Sequence, residues 1–157
     1  MSILKIRKAG DAVLKQKALP IEKIDGKVRT LLDNMAETMY KARGVGLAAP
    51  QIGKSIRVVV IDTGTGLIEL INPVITECSG QVLDSEGCLS VPNIFGEVER
   101  FDTVTVEAFN RNGKKICIRN AKELLARALQ HELDHLDGIL FIEKAQSLRV
   151  EEAENNE

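Results

Sequence analysis

The pattern His-Glu-x-x-His, at His131-Glu132-Leu133-Asp134-His135, restricts this chain more than any other stretch of it. On an α-helix, residues four apart share a face, so His131 and His135 can turn both imidazoles toward one metal ion. Glu132 leaves the helix one residue's rotation from His131. It can reach a water on that ion without ligating the ion itself, which makes it a candidate general base. The chain has no other histidine. A solvated surface helix could carry the same five residues, but the flanks argue for burial: Leu124, Leu125, Ala128, Leu129 and Leu136 recur at three- and four-residue spacing and lay an apolar stripe beside the histidines. The helix is predicted to start at Asn120 as N-cap, with Glu123 as capping-box partner, and to stop at Asp137-Gly138. Buried His, Glu and His have to be satisfied, and a metal with a water does so.

With 157 residues, 44% of them apolar and 28% charged, the chain suits one compact domain with its own core. Residues 1–157 are accordingly read as a single catalytic domain whose acidic end, from about residue 150, frays into solvent. A net charge of −2 offers nucleic acid no basic field, and no apolar run is long enough to cross a bilayer. The first residues, Met-Ser-Ile-Leu-Lys-Ile-Arg-Lys, lack the apolar core of a secretory signal. Cys78, Cys88 and Cys117 are odd in number and far apart, as reduced cytoplasmic thiols are, so the expected location is the cytoplasm.

Val28, Leu31, Leu32, Met35 and Met39 follow helical spacing within Ile24 to Arg43, with Gly44 as the expected stop; this is a long N-terminal packing helix. Gly44-Val45-Gly46-Leu47-Ala48-Ala49-Pro50-Gln51-Ile52-Gly53 has neither period and reads as a turn or a ligand loop. It is not a phosphate loop, because no Gly-Lys-Ser/Thr follows. Gln51 is its useful member, since a neutral amide can donate to a developing oxyanion. Ile56 to Asp62 and Gly66 to Thr76 read as strands, the second broken at Asn72-Pro73. Glu86 to Pro92 reads as irregular or short extended chain. The alternation from Glu97 to Phe109, turned at Asn112-Gly113 into Lys115 to Arg119, reads as a hairpin. Ile139 to Ile142 is one further strand candidate. The fold class expected is α+β: antiparallel sheets packed around a central metal-binding helix, with the second long helix near the N-terminus.

A catalytic site of this kind wants a third protein ligand and an open position. Glu151, Glu152 and Glu154 lie at about the distance downstream where some metalloproteases place a ligating glutamate, although their polar surroundings do not favour a rigid element. Cys78 and Cys117 sit in strand-like surroundings where a buried thiol is the common role. Cys88, flanked by Gly87 with Glu86 nearby, is favoured on local grounds, with the tail glutamates as its rival.

Three stretches, Gly44 to Gln51, Glu86-Gly87-Cys88-Leu89-Ser90 and Gln130 to Leu136, in this order and separation resemble the signature motifs of the peptide deformylases. The resemblance runs from Ile3 to about Phe141. It implies that Cys88, His131 and His135 bind the metal, that Glu132 acts as acid and base, and that Gln51 and the backbone N–H of Leu89 hold the oxyanion. It implies Fe(II), with nickel, cobalt or zinc able to substitute. The implied substrate is the N-formyl-methionine end of newly made polypeptides, with the ribosome as a further partner to test. By the same resemblance Val45, Gly46, Leu124 and Ala128 line the pocket for the methionine side chain. Arg127 falls among them where an apolar residue is common, and Asn93 to Gly96 is uncharged where many members carry a basic residue. Glu86 and Arg100 match recurrent family positions and are expected to pair and brace the Cys88 segment. Two other readings stay open: an endopeptidase using a tail glutamate, and a non-catalytic module whose four metal positions are all filled.

Overall fold

The four residues Val58–Ile61 (β2) are buried without exception, which fixes the layers around them. The structure, a computed structural model, describes residues 2–151. In it Val58 and Val60 face one helix while Val59 and Ile61 face another. Strand side chains alternate between faces, so an unbroken apolar run is what a strand between two helices requires.

On one face lies α1, Gly26–Lys41, capped by the Asp25 side chain, which accepts from the Val28 N–H. Its Leu32, Met35 and Met39 pack on Val58, Val60 and Ile71. The helix is shorter at both ends than the apolar spacing predicts. The residue that stops it in the left-handed region is Arg43, at φ 60°, and the Gly44 N–H then closes on the Met39 carbonyl at 2.9 Å. Gly44 has a different reason to lack a side chain: a Cβ there would lie 2.6 Å from Leu89 Cδ1.

β2 belongs to an antiparallel five-stranded sheet of order β1-β2-β3-β6-β7, with β1 at Gly46–Ala48, β3 at Ile68–Ser79, β6 at Thr103–Phe109 and β7 at Lys115–Ala121. β3 runs through Asn72-Pro73 instead of breaking there. Asn72 takes φ 53°, the register shifts between Ile71 and Val74, and the Asn72 amide exchanges two 2.8 Å hydrogen bonds with the Ile21 backbone. The expected hairpin at Asn112-Gly113 joins β6 to β7. Cys117 and Cys78, expected to be buried, are exposed. Ile116 and Ile118 turn toward the core, so alternation sends Cys117 outward, and Cys78 lies where β3 has run past its cover.

A second sheet, of order β4-β5-β8, contains β4 at Val82–Cys88, β5 at Val91–Arg100 and β8 at Ser147–Val150. Two sequence expectations change here and one is narrowed. Glu86 to Pro92 is a tight hairpin in which Cys88 opposes Val91, so it takes the extended one of its two expected forms. The single alternating strand expected from Glu97 to Phe109 is β5 followed by β6. They are separated at Phe101-Asp102, where Gln130 accepts from the Phe101 N–H and donates to its carbonyl, both at 2.9 Å. Phe141–Lys144 forms a single helical turn, α3, where a strand was expected, because Phe141 is drawn under β5 beside Val91 and Val98. Of the stretch expected to fray from about 150, Val150 pairs with Ile94 and the Glu151 N–H reaches the Asn93 carbonyl at 2.8 Å; residues 152–157 lie outside the described part.

The metal-motif helix, α2, spans Glu123–Leu136 on the other face of β2, with Ala126, Leu129 and Leu136 against Val59, Ile61, Val104 and Val106. Its stop is the predicted one: Gly138 takes φ 75° and the Ile139 N–H closes on the Asp134 carbonyl at 2.9 Å. Its start is not. Asn120 is held in β7 at φ 51° by its N–H to Thr105 Oγ1, and Lys122 stands at the N-cap with no side-chain bond. The expected class holds: α+β, antiparallel sheets around a buried helix, and a second long helix ahead of it.

Candidate active site

Burial of α2 leaves His131, Glu132 and His135 almost without solvent access. The β4–β5 hairpin brings Cys88 against them. One ligand atom each from Cys88, His131 and His135 falls within 4.8 Å of the others, and Cys88 Sγ lies 3.3 Å from His135 Nε2. Ligands at tetrahedral bonding distance from one ion are separated by about 3.5 Å, so a small inward movement suffices. Two imidazoles and a thiol suit a borderline transition metal. Glu132 Oε1 is buried with no partner among the described residues, as a carboxylate facing an ion-bound ligand would be. The residues therefore fit a divalent ion. Glu151, the described member of the rival glutamates, pairs with Arg149 instead.

Gln51 sits in a 3-10 turn, Ala49–Ile52, that follows β1. Its Oε1 accepts from the Ala48 N–H at 2.9 Å, and its Nε2 donates to Ser90 Oγ at 3.1 Å and toward Cys88 Sγ at 3.6 Å. The Ser90 N–H also points at the sulfur, at 3.5 Å. Ser90, fully buried in the Leu89-Ser90 turn, thus anchors Gln51. Its sequence position inside the second motif was the only hint of that.

Behind His131 stands Glu86, two residues before Cys88. It accepts from His131 Nδ1 at 2.9 Å, twice from Arg100 at 2.8 Å, and from Arg127 at 2.6 Å. The expected Glu86–Arg100 pair is thus buried and bidentate. Burial alone would raise the Glu86 carboxyl, but Arg100 and His131 overcome it and hold it at about 2. Burial opposes charge on His131, yet Cys88 and Glu86 hold its imidazolium up to about 10 where no ion competes for the ring. Ligation needs the neutral ring, so an ion and a proton compete for this histidine. His135 is pushed well below the ordinary histidine value by burial and by the charges of His131 and Arg100. Burial, more than the opposing pull of His131, lifts Glu132 to about 7.

The site opens into a cavity of about 630 Å³ with mostly apolar walls, a size suited to a side chain with its backbone. Val45, Gly46, Leu124 and Ala128 all line it, together with Leu89 and Phe95. Gly46 does more than give room to a ligand: a Cβ there would stand 2.6 Å from Glu132 Oε2. Arg127 also borders the cavity, but its guanidinium is turned into the second sheet.

Residues 3–151 match the family model of polypeptide deformylase. The peptide deformylase of Pelotomaculum thermopropionicum is 59% identical over 149 residues, covering 95% of this chain and 96% of that protein. That of Halothermothrix orenii is 58% identical over 92% of this chain and 94% of its own. Among solved structures, the peptide deformylase from Thermotoga maritima superposes with a TM-score of 0.90 at 41% identity, over 92% of this chain and 99% of that one. One from Synechococcus elongatus, in complex with actinonin, gives 0.89 at 40% identity, over 92% of this chain and 79% of that one. With a family match that spans nearly all the described residues, and relatives more than half identical over most of both lengths, this chain belongs to the polypeptide deformylase family.

Proposed function

We propose that this protein is a metal-dependent hydrolase that removes the formyl group from the N-formyl-methionine end of newly made polypeptides and releases formate. Residues 1–157 act as one catalytic domain, working in the cytoplasm on chains as the ribosome delivers them. The observation that carries this reading is the meeting of Cys88, His131 and His135 at an apolar-walled cavity lined by Cys88, His131 and Glu132, with one Glu132 oxygen unpartnered among the described residues.

Cys88, His131 and His135 would hold the ion, Fe(II) first and nickel, cobalt or zinc as substitutes, which when bound supplies Lewis acidity and an acidified water. Glu132, whose carboxyl burial pushes upward, takes a proton from the attacking water and passes it to the departing amine. Gln51 and the Leu89 N–H donate to the formyl oxygen as charge grows on it. The long 3.6 Å contact of Gln51 with sulfur is the bond most easily exchanged for that oxygen, while Ser90 keeps the amide aimed. Val45, Gly46, Leu124 and Ala128 receive the methionine side chain.

Anaerobically purified protein is expected to release formate from a formyl-methionyl peptide and to leave the acetyl-methionyl analogue intact. A fully metallated sample that releases none contradicts the reading. Gln51→Leu is expected to lower turnover by about a hundredfold with metal content unchanged, from loss of one oxyanion donor. Gly46→Ala pushes the Glu132 carboxylate aside and is expected to cut turnover by up to about a hundredfold with metal retained. Wild-type turnover in that variant would mean the carboxylate can work from elsewhere.

A further inference from the structure

The metal site has two halves on different layers: Cys88 is carried by the second sheet, while His131 and His135 are carried by α2. The backbones of α2 and that sheet scarcely approach one another, and the apolar cluster under the sheet is small, built on Val91, Val98 and Phe141. Long polar side chains span the gap instead. From β5, Arg100 reaches Glu86 on β4 and, at 2.6 Å, Asp134 on α2. From α2, Arg127 reaches back the other way: Nη1 donates to Glu86 at 2.6 Å and to the Val98 carbonyl at 2.8 Å, and Nη2 donates to the Val82 carbonyl at 2.9 Å. Arg127 precedes His131 by one helical turn on the same face, and Glu86 precedes Cys88 by two residues.

We infer that Arg127 is a positioning residue of the metal centre: its guanidinium ties the strand that carries Cys88 to the helix that carries both histidines, and so fixes the separation of the two halves of the ligand set. It also completes the charge balance around Glu86, so that this carboxylate stays in place against His131 Nδ1 and presents Nε2 to the ion. Arg127 touches no reacting atom in this role. Lysine cannot replace it, since one ammonium cannot span a carboxylate and two carbonyls in the planar array that the guanidinium fills.

This rests on the proposed metal site, and the test separates the two. Metallated wild type, Arg127→Met, Arg127→Lys and Leu32→Ala are challenged with a chelator well below their melting temperatures, and the visible spectrum of each Co(II)-loaded form is recorded. Leu32 is a buried α1 residue on the opposite side of β2 and belongs to neither half of the ligand set, so its variant loses stability while keeping every ligand and the Arg127 bonds. Arg127→Met is expected to release metal about tenfold faster or more, with shifted Co(II) bands, as for loss of other outer partners of ligands. Arg127→Lys should fall between it and wild type, and Leu32→Ala should keep the wild-type rate and spectrum. Arg127→Met with wild-type release and spectrum overturns the inference, as does Leu32→Ala releasing metal equally fast. Wild type that takes up no stoichiometric metal overturns instead the site on which it rests.

Discussion

Glu132→Gln is expected to reduce formate release by about a thousandfold while the protein keeps one metal ion per chain, the loss typical of removing a general base at its working position. Glutamine preserves volume and one acceptor oxygen but cannot take a proton. The carboxylate is almost wholly buried, one oxygen has no partner among the described residues, and the other packs on Gly46, so it is free of other bonds and aimed for proton transfer. The metal should stay, because neither Cys88 nor the two histidines depend on Glu132 for a hydrogen bond. Formate assay and metal analysis on one preparation check both halves. A Glu132→Gln protein with near-normal turnover would remove this residue from the proton transfer.

Glu86→Gln is expected to cost about 3 kcal/mol of stability at pH 7, because it leaves two buried guanidinium groups facing a neutral amide. For a chain of this size that corresponds to a fall in Tm of about 10 °C. The sign of the pH dependence follows from the direction of the shift. Glu86 is held at about 2 in the folded protein against an ordinary 4.5, so its charge stabilises fully above pH 4.5. That contribution fades as pH falls from 4.5 to 2. The gap between wild type and Glu86→Gln should therefore be widest at neutral pH and narrow through that window. Urea unfolding at pH 7, 5, 4 and 3 measures it, and a gap that stays constant would show that the carboxylate charge is not what the arginines hold.

α2 was legible because three constraints coincide on it: the histidine spacing, the apolar stripe and the Asp137-Gly138 stop. α1 and β2 were legible because their periods survive unbroken. The β4–β5 hairpin was hidden. On β4 the buried residue is Glu86 while Val82 and Leu83 are exposed, and Gly87 interrupts the pattern where a Cβ would meet Phe95 at 2.6 Å. β8 was missed because Ser147–Val150 is an exposed edge strand whose order comes from pairing with β5, not from burial. Asn120 misled as a helix cap because it serves instead as a left-handed residue at a bulge in β7, its backbone N–H bonded to Thr105 Oγ1. Within the site, the ligand trio and Gln51 could be named from chemistry and resemblance. The role of Arg127 could not, since an arginine among pocket positions gives no sign that it faces a glutamate forty-one residues earlier.

X-ray absorption at the metal edge of the anaerobically purified protein tests the shared ion most directly. One sulfur at about 2.3 Å, two nitrogens at about 2.0–2.1 Å and one light ligand exchangeable with solvent are expected. A shell without sulfur, or one closed by a fourth protein ligand, would contradict it.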